Sequence, residues 1–120
     1  MSIHLETGRS GEAEACRFVN EIGYTILEVN WRYKHLEVDI IAMDKDVLVF
    51  IEVKTRKSLL YGQPYEAVDY RKQQKLNRAA NLYISYKKHQ GDIRFDIISI
   101  FSDPAKKMKV EHIKDAFWPE

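Results

Sequence analysis

Two carboxylates and a lysine stand inside strongly apolar segments of this 120-residue chain. Asp39 lies in LEVDIIA, and after twelve intervening residues Glu52 and Lys54 lie in LVFIEVK. An ionised carboxylate is costly to bury unless a cation or a metal ion compensates its charge. Because side chains alternate between the faces of a strand, Glu52 and Lys54 share one face, and so do Glu37 and Asp39. The pattern predicts a charged site built on two strands.

The turn between the two segments decides whether the carboxylates meet. If the hairpin loop has two or four residues, Asp44 pairs with Val47 and Asp39 faces Glu52. Facing side chains lie about 5 Å apart at Cβ, where like charges repel. That separation suits a hard divalent ion, above all Mg²⁺, which takes few protein carboxylates and keeps several waters. A loop of three residues would place the two carboxylates on opposite faces of the sheet.

The same register places Lys54 opposite Glu37. One step from the carboxylates, Lys54 can orient an attacking water or stabilise charge on a phosphoryl oxygen. The spacing also fits a structural ion-pair ladder, in which Lys or Arg side chains satisfy Asp39 and Glu52. The residues alone leave both interpretations open.

The elements that would carry these residues follow an α-β-β-β-α-β order with a small tail. We predict a helix from Ser10 to about Ile22, ended by Gly23, because of the apolar spacing and the glycine stop. Strands are predicted at 24–33, 36–43, 47–55 and 93–101, with a loop at 57–65, a second helix at 66–88 and a short strand at 108–113. The predicted fold class is α/β, a central mixed sheet flanked by two helices, with an antiparallel hairpin carrying the carboxylates.

Length and composition favour a single globular domain over residues 1–120, since 45% of the residues are apolar and 31% are charged. The single cysteine, Cys16, excludes an internal disulfide and a multi-cysteine zinc site. The longest apolar run, Val47 to Ile51, is far too short to cross a membrane, and the first residues lack the apolar core of a signal peptide. We therefore expect a cytoplasmic protein with no membrane partner.

The charge is unevenly distributed although the net charge is only +1. The first 53 residues carry 5 Lys/Arg against 10 Asp/Glu, whereas residues 54–89 carry 9 against 2. Such a basic middle segment permits a phosphate backbone as partner, although a solvated basic helix is the simpler explanation.

The order of these motifs resembles the PD-(D/E)XK nuclease superfamily: a helix with a glutamate, then Asp, twelve residues, and Glu-Val-Lys. More closely, the chain resembles the YraN family of uncharacterised endonuclease-like proteins, related in fold to archaeal Holliday-junction resolvases. The matching segments are GEAEA, GYTILEVNWRY, LEVDIIA, LVFIEVKTR, YGQPYEAV, RKQQKL, RFDIISI and HIKDAF. Leu36 departs from the family, which usually has glycine there, and a leucine lowers the ability of the strand to kink.

The resemblance implies a restriction-endonuclease-like core and a site that uses Mg²⁺ or Mn²⁺. Asp39 and Glu52 match the metal-binding carboxylates, the backbone carbonyl of Val53 is the implied third ligand, and Lys54 matches the catalytic lysine. Glu12 matches the helix-one glutamate, which in related nucleases helps to hold the metal, often through water. Without the family match, Glu12 is an ordinary acidic residue near a helix N-terminus.

The expected partner is DNA, and the candidate nucleic-acid contacts lie in the basic middle segment. Arg56 and Lys57 extend the strand that carries the site, where a solvated strand end is the alternative. Lys72 with Gln73 matches the family's position on the second helix, and Lys75 lies in the same RKQQKL segment.

Three functions are compatible with these residues. The leading interpretation is a metal-dependent nuclease that hydrolyses DNA, with branched or junction DNA among its substrates. A homodimer is one way to join two basic segments into a continuous surface. The second interpretation is a non-catalytic nucleic-acid-binding module that retains the nuclease fold. The third is an intracellular interaction protein whose charged ladder is structural.

Overall fold

A five-stranded mixed sheet with a helix on each face organises this chain. The computed structural model describes residues 3–56, 68–101 and 108–118, with side chains from residue 11 onward. The chain order is α1 (Ile3–Glu21), β1 (Thr25–Tyr33), β2 (Leu36–Asp44), β3 (Val47–Arg56), α2 (Tyr70–Lys87), β4 (Ile93–Phe101) and β5 (Lys109–Ile113). The sheet order is β1-β2-β3-β4-β5, and only the β3–β4 neighbours among the described strands are parallel. The predicted α/β class is confirmed.

The β2–β3 hairpin has the register that the spacing of the carboxylates requires. Lys45 and Asp46 form the two-residue turn, and Asp44 pairs with Val47. Lys45 adopts a positive φ of 55°, as tight hairpin turns demand. Pairing then continues without a slip to Ile40 opposite Ile51. The register that a loop of two or four residues requires is therefore present from the turn as far as Ile40 and Ile51.

Two apolar cores separate the layers. The α2-side core contains Leu36, Val38, Ile41, Leu48, Phe50, Val68, Leu76, Ala79, Ala80, Tyr83, Phe95 and Ile97. The α1-side core contains Ala15, Val19, Tyr24, Ile40, Ala42, Val49, Ile51, Ile98 and Ile100. Even-numbered residues of β3 thus point toward α2 and odd-numbered ones toward α1, which places Glu52 and Lys54 on the α2 face.

Both helices start at places other than those predicted. α1 begins at Ile3, so Ser10 lies inside the helix and not at its N-cap; the glycines in this segment weaken a helix without ending it. α2 begins at Tyr70 because the Asp69 side chain caps it, accepting a hydrogen bond from Lys72 N at 2.9 Å. Neither helix of the described residues combines the length and apolar character that a membrane crossing requires.

Candidate active site

β2 separates from β3 at Asp39. The last paired residues are Ile40 and Ile51, so Asp39 and Glu52 occupy the first position beyond the described pairing. There the Asp39 side chain accepts a hydrogen bond from the Val53 backbone N–H, with Oδ2 2.8 Å from the nitrogen. The carboxylate therefore satisfies a backbone donor of β3 at the point where the strands diverge.

The alternation of faces along β2 is interrupted at the same residue. Strict alternation would keep Val38 and Ile40 on one face, but Val38 belongs to the α2-side core and Ile40 to the α1-side core. On β1, the residue opposite this point is Asn30, which adopts a left-handed φ of 54°. The interruption lies at Asp39 and Asn30, whereas Leu36 is buried in the α2-side core. We expected Glu37 and Asp39 to share a face because side chains alternate along a strand. The interruption at Asp39 removes the basis of that expectation.

Glu52 is a buried carboxylate that two lysines approach. Only 5% of it is exposed, and its Oε1 lies 3.4 Å from Lys54 Nζ and 3.5 Å from Lys72 Nζ. Lys54 comes from the same strand, two residues further on, while Lys72 comes from the first turn of α2. The α2 layer therefore contributes a cation directly to the carboxylate site.

The predicted pairing of Lys54 with Glu37 is wrong in the described structure. Glu37 pairs with Arg32 of the neighbouring strand β1 at 3.5 Å, and Lys54 pairs with Glu52. The prediction assumed that β2 and β3 stay paired past Asp39 as far as Glu37. The described pairing ends at Ile40 and Ile51, so Glu37 and Lys54 are not opposite each other.

The electrostatics of Asp39 differ from those of an ordinary surface carboxyl. Burial and the nearby charge of Glu52 raise the pKa of Asp39 from 3.8 to about 7. The Val53 N–H bond and the Lys72 ammonium act in the opposite direction and limit the rise. Asp39 and Glu52 are thus close enough to repel, as the spacing predicted.

Ser99 of β4 brings an unsatisfied hydroxyl to this region. It is fully buried, and its Oγ has no hydrogen-bond partner in the described residues. Ser99 is directly opposite Lys54 in the parallel β3–β4 register, so the two side chains share the α2 face of the sheet. A buried polar group without a partner is uncommon and calls for a partner that the described side chains do not supply.

Glu12 lies on the other side of the sheet. Its neighbour Gly11 packs against Thr55 near the end of β3, and Glu12 borders a shallow depression with Cys16, Val29 and others on α1 and β1. Burial, followed by the charge of Glu12, raises the pKa of the Cys16 thiol. Among the described side chains, no group of three or more His, Cys, Asp or Glu residues is arranged to hold a metal. The role implied for Glu12 stays a prediction.

The two carboxylates nevertheless fit a magnesium-type ion. Mg²⁺ keeps several waters and is commonly held by one or two carboxylates, so Asp39 and Glu52 are a sufficient acidic set. The pKa of Asp39 is raised first by burial and then by the charge of Glu52, and a cation bound beside both carboxylates would lower it. The backbone carbonyl of Val53 as a further ligand stays a prediction.

The candidate nucleic-acid contacts are spread over several environments. Lys75 is exposed, and Arg56 ends β3 half-buried. The Gln73 side-chain amide donates to the Val68 carbonyl at 3.1 Å, so this group holds the start of α2 in place. Lys57, with the predicted loop at 57–65, lies outside the described residues.

Comparison with known proteins places the chain in a family. Residues 11–100 match the uncharacterised protein family UPF0102. The chain belongs to this family. A UPF0102 protein of Chlorobium phaeobacteroides is 45% identical over 121 residues, covering 96% of each chain. One of Clostridium kluyveri is 44% identical over 118 residues and 97% of each chain, and one of Bacteroides thetaiotaomicron is 41% identical over 119 residues, 99% of this chain and 98% of that protein.

Membership of UPF0102 confirms the resemblance to the YraN family. The matched region contains both carboxylates, Lys54 and Lys72. It runs from the middle of α1 almost to the end of β4. The names of the UPF0102 relatives state no activity.

A second charged cluster of this UPF0102 protein was not predicted from the sequence. Asp96 is fully buried in β4, where Arg94 donates to it through Nε at 2.8 Å and Nη2 at 3.0 Å. His112 Nε2 lies 2.8 Å from its Oδ2, and the Asp115 N–H donates to its Oδ1 at 3.0 Å. Arg94 also contacts the Tyr24 hydroxyl at 2.6 Å. The Asp96 carboxylate is thus held by the Arg94 guanidinium, the His112 ring and the Asp115 N–H.

The signal for this cluster is present in RFDIISI. Arg94 and Asp96 are the two charged residues of an otherwise apolar strand, and their spacing of two places them on one face. That face is opposite to Glu52, so the cluster lies on the α1 side and is separate from the candidate active site.

Proposed function

We propose that this protein is a Mg²⁺- or Mn²⁺-dependent nuclease that hydrolyses phosphodiester bonds in DNA. The observation that carries the proposal is the convergence of Asp39, Glu52 and Lys54 where β2 leaves β3. Two carboxylates that repel each other, with an ammonium group beside them, form a site for a divalent ion and an anionic substrate.

Each residue of the site has a separate part in the proposed reaction. Asp39 and Glu52 hold the metal ion together with the Val53 carbonyl. When bound, the ion stabilises negative charge on the phosphoryl group and lowers the pKa of a bound water. Lys54, whose ammonium lies 3.4 Å from Glu52, orients the attacking water or stabilises a phosphoryl oxygen.

The proposed fold assignment is a restriction-endonuclease-like core. The features in favour of it are the antiparallel β2–β3 hairpin, the parallel β3–β4 pair with α2 in the connection, and α1 on the opposite face. This assignment makes branched or junction DNA a substrate class to test first. We propose Arg56, Lys57, Lys72, Gln73 and Lys75 as contacts to the DNA.

A cleavage panel tests the proposal. Linear duplex, single-stranded, flap and four-way junction DNA, with matching RNA substrates, are incubated with Mg²⁺ or Mn²⁺. Wild-type protein should cleave at least one DNA substrate, and Asp39→Asn, Glu52→Gln and Lys54→Ala should each lose that activity. Asp46→Asn, in the exposed β2–β3 turn, is purified identically and should retain it. Cleavage that persists in Asp39→Asn would identify a contaminating nuclease and contradict the proposal.

A non-catalytic nucleic-acid-binding module is the second candidate. The observation in its favour is that Lys54 and Lys72 already compensate Glu52 without a metal ion. This function predicts DNA binding that neither Mg²⁺ nor Asp39→Asn changes, with no cleavage of any substrate.

A further inference from the structure

Two ammonium groups lie close to the same oxygen atom of the proposed metal site. Lys54 Nζ and Lys72 Nζ lie 3.4 Å and 3.5 Å from the same Glu52 Oε1, and Glu52 itself is almost fully buried. Two positive charges this close to the Glu52 carboxylate repel a divalent cation that approaches the same carboxylate. A divalent ion that binds Glu52 therefore meets this repulsion unless one ammonium group moves away.

Of the two lysines, Lys72 is the one whose position suits it to compete with a metal ion for Glu52. Lys54 follows Glu52 on the same strand face, and its part in the proposed reaction keeps its ammonium group beside the metal site. Lys72 arrives from another layer, and the cap between Asp69 and the Lys72 N–H at 2.9 Å fixes the backbone from which its side chain extends. Its ammonium charge also acts on Asp39, so its field covers both carboxylates.

We propose that the Lys72 ammonium is a built-in substitute for the metal ion, which neutralises Glu52 in the metal-free protein and is displaced when a divalent ion binds. The displaced ammonium is then available to a phosphate of the substrate, which couples metal loading to substrate binding. This inference rests on the proposed function, because it takes Asp39 and Glu52 as the metal ligands.

The structure supports displacement better than permanent pairing. The Lys72 side chain is 35% exposed although its partner carboxylate is buried, so the ammonium has a path to solvent. Lysine is also a flexible point charge, which can leave one carboxylate oxygen without a change in the backbone.

Metal affinity without substrate tests the inference. Mn²⁺ binding is measured by calorimetry for wild type, Lys72→Met and Lys87→Met. Lys87 is the matched control because it lies on the same helix and pairs with another carboxylate, Glu28, at 3.8 Å. Removing a unit charge about 4 Å from the ligand oxygen should tighten Mn²⁺ binding by about tenfold or more in Lys72→Met. Lys87→Met should bind as wild type does.

The outcomes separate this inference from the proposed function. Equal Mn²⁺ affinity for wild type and Lys72→Met would overturn the competition while leaving the metal site intact. Absence of Mn²⁺ binding in all three proteins, as in an Asp39→Asn control, would overturn the metal site and the inference together. Binding by Lys72→Met alone would support a stronger form of the same competition.

A measurement on the wild-type chain covers the case in which Lys72→Met fails to fold. Acetylation of lysines is followed by mass spectrometry with and without Mn²⁺. Displacement should increase the labelling rate of Lys72 several-fold on addition of Mn²⁺, with no change at Lys87. Unchanged labelling of Lys72 under conditions where calorimetry shows Mn²⁺ bound would overturn the inference.

Discussion

Asp39 and Glu52 are chemically similar residues in different electrostatic surroundings. Glu52 is buried between two ammonium groups, whereas Asp39 accepts one backbone N–H and carries a pKa raised to about 7 by burial and by Glu52. Glu52 therefore has two positive charges beside it, whereas the nearby charge that raises the pKa of Asp39 is that of Glu52.

The two isosteric substitutions should consequently act in opposite directions in EDTA. Asp39→Asn keeps an oxygen for the Val53 N–H and removes the repulsion, so we expect a gain of roughly 0.5–2 kcal/mol above about pH 7. Glu52→Gln leaves two ammonium groups without their carboxylate, and we expect a loss of about 1–3 kcal/mol. Urea unfolding measures both, with Asp46→Asn as the neutral control. If both variants lose stability to a similar degree, the site is a structural ion-pair ladder.

The raised pKa of Asp39 also sets the sign of the pH dependence. Between about pH 4 and about pH 7 the folded chain holds a proton on Asp39 that the unfolded chain has lost, so this group makes the fold less stable as pH rises through that window. The advantage of Asp39→Asn over wild type should grow across the same window and then level off. An advantage that is independent of pH would contradict this assignment.

At the scale of elements, the sequence was most informative where local chemistry decides the structure. The bounds of β4 match the predicted 93–101, because turn-forming residues flank an apolar run. The β2–β3 register depends on the loop length, which the sequence left open between two, three and four residues and the structure shows to be two. The start of α1 was missed because Ser10 is a suitable N-cap and the glycines on either side of it, Gly8 and Gly11, are poor helix formers. The resemblance indicated that Lys72 could reach toward the active edge, whereas spacing alone could not, because no spacing rule joins residues in different layers.

The contact between α1 and β3 supplies a prediction about layer packing. A Cβ added at Gly11 would overlap the Thr55 hydroxyl, which forces a shift. Overpacking lowers the free energy of unfolding by about 1–3 kcal/mol, whereas the higher helix propensity of alanine raises it by about 1 kcal/mol. Gly11→Ala should therefore lower stability by up to about 2 kcal/mol. Thr55→Ala in the same chain should restore much of the loss, and equal losses in the single and double variants would contradict the contact.

At the scale of the molecule, the Asp96 cluster ties distant parts of the chain together. Arg94 connects Asp96 to Asp44 at the end of β2 and to Tyr24 after α1, and His112 adds β5. Burial pushes the pKa of Asp96 upward, but the hydrogen bonds from His112, Arg94 and the Asp115 N–H outweigh it and hold the pKa below its usual value. The charged form of Asp96 is therefore part of the native structure.

Removing that charge should destabilise the whole fold. Asp96→Asn leaves Arg94 without its buried partner, and breaking a buried pair costs about 3–5 kcal/mol. Because the folded pKa of Asp96 is lowered, its contribution is complete above the unfolded pKa and is lost as pH falls through the folded one. The difference from wild type should narrow in acid. Asp92→Asn, exposed just before β4, is the control, and a loss in Asp96→Asn that stays constant in acid would contradict the assignment.

The described part of the basic middle segment carries exposed cations along α2, where the proposed DNA would bind. Arg71, Lys75 and Arg78 are exposed and follow one another at helical spacing along α2, beyond Lys72 at the candidate active site. Each phosphate contact releases counterions, so the logarithm of the DNA affinity should fall linearly with the logarithm of the salt concentration. Lys75→Gln should weaken binding to all sequences alike and reduce that slope by about 1.

Binding is measured by fluorescence anisotropy in EDTA, where the proposed cleavage cannot occur. Arg17→Gln is the control, since Arg17 is an exposed cation on α1, across the sheet from α2. It should leave affinity and slope unchanged. If Arg17→Gln reduces the slope as much as Lys75→Gln does, the DNA does not select the α2 face. Phosphate contacts near Glu52 and Lys54 would then have to come from outside α2.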